Sequence, residues 1–264
     1  MKQSSTLLLL LLAFISSCGD KKVQEPAYKQ EDISIAEINY IMNNQSVTCA
    51  SIRGGGCPSG IARLFIVDRS NSEKSKLCSG FMVSESVLVT NHHCVSSAKA
   101  CKNTYIAVYN GYSYRRTKCE NILRSYEDNS NIRSPDRAQD YTVLKVSTSI
   151  LSRPFSLAEK KLGPSDKVTA WVVDQIDAYD SRITELRCKK VKQDEYKSMV
   201  LSGCPVISGN SGSPAVNSKR EVVGVIWGAA NDGSFNEETA LSKRRGKDEV
   251  FGFATELTYF IDYL

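Results

Sequence analysis

The chain predicts an all-β protein, built as barrels or a sandwich and closed by one C-terminal helix. Three observations lead there. Short runs rich in Val, Ile, Tyr and Phe recur along the chain, and Ser, Asn, Gly and Asp separate them. No long stretch shows a helical period until the last ten residues, a short helix over Ile35 to Met42 apart. Taken in order, the expected strands are IARLFIV (61–67), VLVT (87–90), TYIAVY (104–109), YTVLKV (141–146), VTAWVV (168–173), ITELRC (183–188), EVVGVIW (221–227) and VFGFA (250–254). Each is β-branched or aromatic enough to line a pleated, half-buried surface. In TELTYFIDYL, Leu257, Phe260, Ile261 and Leu264 fall on one helical face, with Thr255 as the expected N-cap.

With 264 residues, of which 41% are hydrophobic, the chain can bury one large all-β unit or two small domains. The net charge of +5 is scattered, so no basic stripe predicts a nucleic-acid partner. The first residues read differently. Lys2 precedes an apolar run from Leu7 to Ile15 that is too short to span a bilayer and has the layout of an export signal over residues 1–17. The sequence ISSC, ending at Cys18, resembles the lipobox of bacterial lipoproteins, which implies lipidation of Cys18 and a membrane partner through that anchor. A charged stretch from 18 to 48 suits a tether. The expected location is the bacterial cell envelope, at the outer membrane or in the periplasm, or the secreted fraction.

Export makes the cysteines legible. Removing Cys18 from nine leaves eight, an even number suited to an oxidising compartment. Local spacing ranks four pairs first: Cys49 with Cys57, Cys78 with Cys94, Cys101 with Cys119, and Cys188 with Cys204.

Two motifs carry chemistry. Both histidines of the chain stand together in TNHHCV (90–95), directly before a cysteine. In GNSGSPAV (209–216), glycines flank a serine on a tight turn, which exposes a hydroxyl beside backbone N–H groups. Taken singly, each has a plainer reading: the second is a good hairpin turn, and the first offers a metal pair. The metal reading is poor, because consecutive residues seldom converge on one ion and no C-x-x-C accompanies them. Neither is GNSGS the α/β-hydrolase elbow, whose fifth position is glycine.

Together, CSGFMVSESVLVTNHHCV, QDYTVLKV, GNSGSPAV and EVVGVIWG resemble the trypsin-like (chymotrypsin-fold) serine endopeptidases over residues 57–264, in particular their bacterial glutamyl-endopeptidase-like branch. The resemblance implies two antiparallel six-stranded β-barrels, residues 49–152 and 153–264, with the active site in the cleft between them. It implies His93 as general base, Asp140 as its acid, Ser211 as nucleophile, and the N–H groups of Gly209 and Ser211 as oxyanion hole. It also supports the Cys78–Cys94 pair, and leaves His92 as a turn residue without a catalytic task. Asp136 is the rival acid, set in a polar loop beside Pro135. The order His, Asp, Ser matches the chymotrypsin type.

Substrate would lie along Ile226, Trp227 and Gly228, with Pro205 to Ser208 as the opposite pocket wall. Trypsin-type pockets carry an acid where this chain has Pro205, and glutamyl-specific relatives use a pocket histidine that this chain lacks, so neither specificity carries over. The insert from Asn231 to Val250, containing KRRGK, reads as a solvated loop. Digestive relatives pair a freed N-terminus with an aspartate just before the serine; here that residue is Asn210, so no zymogen cleavage of that kind is expected. The expected protein is a monomer acting on proteins or peptides without cofactor or metal. Its rivals are a non-catalytic binding module on the same fold and an esterase.

Overall fold

The computed structural model describes residues 46–52, 54–68, 74–126, 140–147, 153–175, 180–193, 198–229 and 251–257. The expected export signal, Cys18, Asp136, the 231–250 insert and the terminal helix beyond Leu257 lie outside these. Among the described residues, no helix is long and apolar enough to cross a membrane.

The first barrel comprises β2 (Ile61–Asp68), β3 (Lys74–Met82), β4 (Val87–Thr90), β5 (Thr104–Tyr109), β6 (Tyr114–Ser125) and β7 (Thr142–Val146), closed in the order β2-β3-β4-β7-β6-β5. Period-two alternation builds its core: Ala62, Leu64 and Ile66 point inward with Leu88, Ile106, Val108 and Leu144, while Phe65 and Val67 pack on the other face. This double burial explains why residues 61–67 of β2 are apolar on both faces apart from Arg63. A short helix, α1 (Ala98–Lys102), follows β4, capped by Ser97 and tied by Cys101 to Cys119.

The second barrel comprises β8 (Lys167–Gln175), β9 (Asp180–Gln193), β10 (Met199–Ser202), β11 (Pro214–Val216), β12 (Val222–Ala229) and β13 (Phe251–Glu256). Its order β9-β10-β13-β12-β11-β8 is closed by the β8–β9 pairing. The fold is thus all-β with two closed six-stranded barrels, as expected. A seventh strand, β1 (Ser46–Ala50), runs parallel to β9 from Ser46↔Asp180 to Ala50↔Thr184. The buried Glu185 carboxylate accepts bonds from Ser51 Oγ at 3.0 Å and Ile52 N at 2.9 Å and holds the end of β1 there. Residues 46–48, within the stretch expected as tether, thus lie in β1 beside the second barrel.

One local expectation is revised. Thr255 is no N-cap: it lies in β13 opposite Val225, because strand pairing inside the barrel outweighs the local helical pattern. The hydrophilic β6 (YRRTKCENILRS) and the short β10 and β11 escape notice in the sequence, β6 being too polar and the other two too short to give a clear apolar pattern, although each pairs with a strand adjacent in sequence.

The barrels meet through Ile61, Phe81, Val89 and Val143 of the first, which join Phe155 and the core of the second in one cluster. Phe81 and Phe155 pack edge to face at 5.8 Å.

Candidate active site

Strand register creates one half of the site. β4 and β7 pair with Thr90 opposite Thr142. His93, three residues past Thr90, therefore meets Asp140, two residues before Thr142. The turn is fixed by Cys94 N and Val95 N, which both donate to Asn91 O at 3.2 Å, and by Asn91 Nδ2, which donates to Asp140 O at 2.6 Å. Asp140 Oδ2 lies 2.5 Å from His93 Nδ1, and Asp140 Oδ1 accepts the His93 backbone N–H at 3.0 Å. Burial pushes the Asp140 carboxyl pKa up, but the His93 side-chain bond, the His93 charge, its backbone bond and the His92 charge together hold it below its ordinary value. A carboxylate on Nδ1 directs the other ring nitrogen, Nε2, outward as the basic one.

The two histidines divide their work. His92 Nδ1 bonds Ser125 Oγ at 2.7 Å, Ser125 Oγ bonds Thr142 Oγ1 at 2.8 Å, and Thr142 Oγ1 donates to Val95 O at 3.0 Å. His92 thus fastens the turn to β6 and β7. Lys76 on β3 donates its Nζ to His93 O; desolvation lowers its pKa, against the raising effect of the Asp140 charge.

The other half comes from the loop between β10 and β11. Cys204, bonded to Cys188 of β9, anchors its start. A turn follows in which Asn210 N donates to Ile207 O at 3.1 Å, with Gly209 at φ +88°, a conformation that suits glycine. The loop is fastened to the first barrel by one residue: Ser79 N donates to Ser211 O at 2.7 Å and Ser79 Oγ to Gly209 O at 2.9 Å. Ser79 follows Cys78, which is bonded to Cys94, the neighbour of His93. Cys94 Sγ itself lies 4.0 Å from Ser211 O. The short path Ser211, Ser79, Cys78, Cys94, His93, with Asp140 bonded to His93, gathers the three expected residues into one region. Nothing in the sequence marks Ser79 for this task.

At Gly212 the loop backbone comes close against β3 of the first barrel. A Cβ there would stand 1.9 Å from Ser79 O, and its φ is +93°. Only glycine fits.

The amides of the loop are unevenly used. Asn210, Gly212 and Ser213 donate theirs, to Ile207, Ile226 and Asn210 carbonyls respectively. Those of Gly209 and Ser211 have no acceptor among the described residues. The Ser211 hydroxyl donates to Trp227 O at 3.4 Å, and it makes no hydrogen bond with the His93 ring among the described contacts.

Of the three residues expected along the substrate edge, Ile226 spends both main-chain groups inside the protein, on Ser213 O at 2.9 Å and Gly212 N at 2.8 Å. Trp227 sits in a register shift between Ile226 and Gly228, and its ring stacks on Phe253 at 5.1 Å. On the opposite wall Pro205 is buried and Ser208 exposed; Gly252 leaves room there, since a Cβ would come within 3.1 Å of Cys204 O.

Cys78, His93 and Cys94 bring possible ligand atoms within 4.8 Å of one another. Both sulfurs belong to one disulfide, so neither is a thiolate able to hold a metal. All four disulfides join the pairs that spacing favours. A separate cleft of 890 Å³, bordered by Pro58, Tyr112, Arg153, Phe155 and Arg220, includes none of the site residues.

A family model described as Trypsin matches residues 52–243. No curated protein matches the chain. Among solved structures, the MamO protease domain from Magnetospirillum magneticum shares 16% identity at a TM-score of 0.54, covering 80% of this chain and 98% of its own. The active form of the Rv3671c protease from M. tuberculosis shares 18% identity at 0.51, over 84% of this chain and 88% of that one. A scabies mite inactivated protease paralogue also shares 18% at 0.51, over 76% and 92%. At these identities the likeness is one of fold.

Proposed function

Since the chain belongs to the trypsin family, whose membership supports a proteolytic function, we propose that it is an exported serine endopeptidase working through His93, Asp140 and Ser211. The observation that carries this is a carboxylate-oriented imidazole in the same region as a serine loop whose Gly209 and Ser211 N–H groups meet no acceptor among the described residues. Ser211 Oγ attacks a peptide carbonyl after leaving its bond to Trp227 O by rotation about its side chain. His93 Nε2 takes the proton and later delivers it to the leaving amine. Asp140 holds the tautomer and steadies the imidazolium. The N–H groups of Gly209 and Ser211 receive the oxyanion, each donor of this kind being worth on the order of 100-fold to 1,000-fold in rate. The acyl-enzyme is then hydrolysed by the same groups.

With Ile226 committed to the fold, Trp227 and Gly228 supply the main-chain contacts to an extended substrate. Pro205 and Ser208 on one expected wall and Trp227 on the other carry no charge, so basic and acidic side chains are not preferred before the scissile bond. The protein is a monomer, held at the cell envelope through a lipid on Cys18, and uses no cofactor.

A fluorophosphonate probe tests the reading. Folded wild-type protein is labelled on Ser211, and Ser211→Ala is not; a wild type that stays unlabelled sinks the hydrolase reading. The rival, a binding module on a protease fold, draws on the Ser211–Trp227 bond, which engages the hydroxyl with a main-chain carbonyl. An esterase would share the labelling and differ only in cleaving small esters and no peptides.

A further inference from the structure

The residue before the nucleophile is fully buried. Asn210 Nδ2 donates to Val173 O at 3.0 Å and faces Asp174 Oδ1 at 3.5 Å, both at the end of β8. Asn210 Oδ1 accepts from Ile207 N at 3.0 Å, across the turn that presents the Gly209 amide. One carboxamide thus uses both ends: its donor side binds the barrel wall and its acceptor side closes the loop. Asp174 is itself buried and is oriented by Thr184 Oγ1, which donates to Asp174 Oδ2 at 2.7 Å. Thr184 is the β9 residue beside Ala50, the last residue of β1. The chain ahead of the barrels is therefore added as a strand on the outside of β9, behind the same residues.

Resting on the serine-peptidase reading above, we propose that Asn210 is a positioning residue, a permanent latch that holds the oxyanion loop formed, and that Asp174 makes the latch selective for a carboxamide over a carboxylate at position 210. A carboxylate there would keep the bond from Ile207 N. It would also set an oxygen against Val173 O and a second anion against Asp174 in a site with little water, where like charges repel strongly. Arg182, the exposed cross-strand neighbour of Asp174, is the cation nearest in register on β9. The latch replaces an arriving N-terminus with a side chain that is present from the moment of folding.

The test is a double-mutant cycle of wild type, Asn210→Asp, Asp174→Asn and the double variant. Maximal fluorophosphonate labelling rate and thermal midpoint are measured on each. In Asn210→Asp the labelling rate falls on the order of 100-fold, as for loss of an oxyanion donor. Adding Asp174→Asn recovers at least tenfold of it, on the order expected for a charge-assisted hydrogen bond, because the new carboxamide can donate to the carboxylate. A merely structural asparagine would show no such rescue. Should Asn210→Asp fail to fold, recovery of a cooperative melt in the double variant is the same rescue. An Asn210→Asp rate within threefold of wild type, or a double variant no better than Asn210→Asp, overturns the latch. If wild type itself is not labelled, the peptidase reading fails separately, while the coupling in thermal midpoints still decides whether the latch exists.

Discussion

Asp140 shows how one side chain draws its role from two backbones. It accepts from His93 twice, through the ring and through the main chain, and its own carbonyl is held by Asn91. Asp140→Asn keeps the size but presents an amide where Nδ1–H must donate, which favours the wrong tautomer. The labelling rate should drop by about 10,000-fold, with the fold retained. A stability signature accompanies it. The folded carboxyl titrates below its unfolded value of about 3.9, so its stabilising contribution is complete above that pH and disappears as pH falls through the lower, folded value. Urea unfolding midpoints of wild type and Asp140→Asn should therefore differ at pH 6 and converge towards pH 2. A gap that persists at low pH would contradict the assignment.

Between elements, the critical contact is the Gly209–Gly212 loop, which bears the proposed nucleophile, against β3. Ser79 gives the loop two hydrogen bonds, and Gly212 lets the backbones approach far closer than any Cβ permits. Gly212→Ala combines a backbone collision with a left-handed φ and should cost about 4 kcal/mol or more, the range reserved for specific steric failures. Labelling should vanish with it; a variant that melts within a few degrees of wild type would show that the loop can step away. The disulfides allow a sharper comparison. Cys78–Cys94 and Cys101–Cys119 span 16 and 18 residues, so loop-closure entropy makes their stabilities alike, about 3 kcal/mol each. Only the first adjoins both Ser79 and His93. Replacing each pair by serines should lower the unfolding free energy similarly, yet the labelling rate should suffer at least tenfold more from loss of Cys78–Cys94. Equal effects on rate would remove the disulfide from the positioning path.

Across the molecule, barrel closure depends on a polar pair as well as on apolar packing. Lys190 of β9 and Glu256 of β13 form an ion pair while both are buried, across the intervening β10. Leu162 O accepts from Lys190 Nζ at 3.0 Å, and Glu256 Oε2 accepts from Gln193 Nε2 at 2.7 Å. Lys190→Met leaves a buried carboxylate without its cation and should cost about 3–5 kcal/mol in urea unfolding. The double variant Lys190→Met, Glu256→Met should regain most of this, since a buried pair replaced by apolar side chains is often neutral. No regain would mean that the pair stabilises beyond the cost of burying it.

Patterns confined to a few neighbouring residues were readable without coordinates. The β-branched runs predict eight of the strands, and the flanked serine and the His–Cys step mark the two loops on which the proposed chemistry rests. Cysteine spacing ranks the four pairs that form. These features are local because side-chain alternation and turn chemistry act over a handful of residues. Other features exist only once distant segments share a register. Ser79 as the tie between barrels, Asn210 against Asp174, His92 as a brace, Thr255 drawn into a strand and β1 laid on β9 all depend on partners remote in sequence. Their energies come from burial and hydrogen bonds that no isolated segment can make, and for that reason the fold decides them.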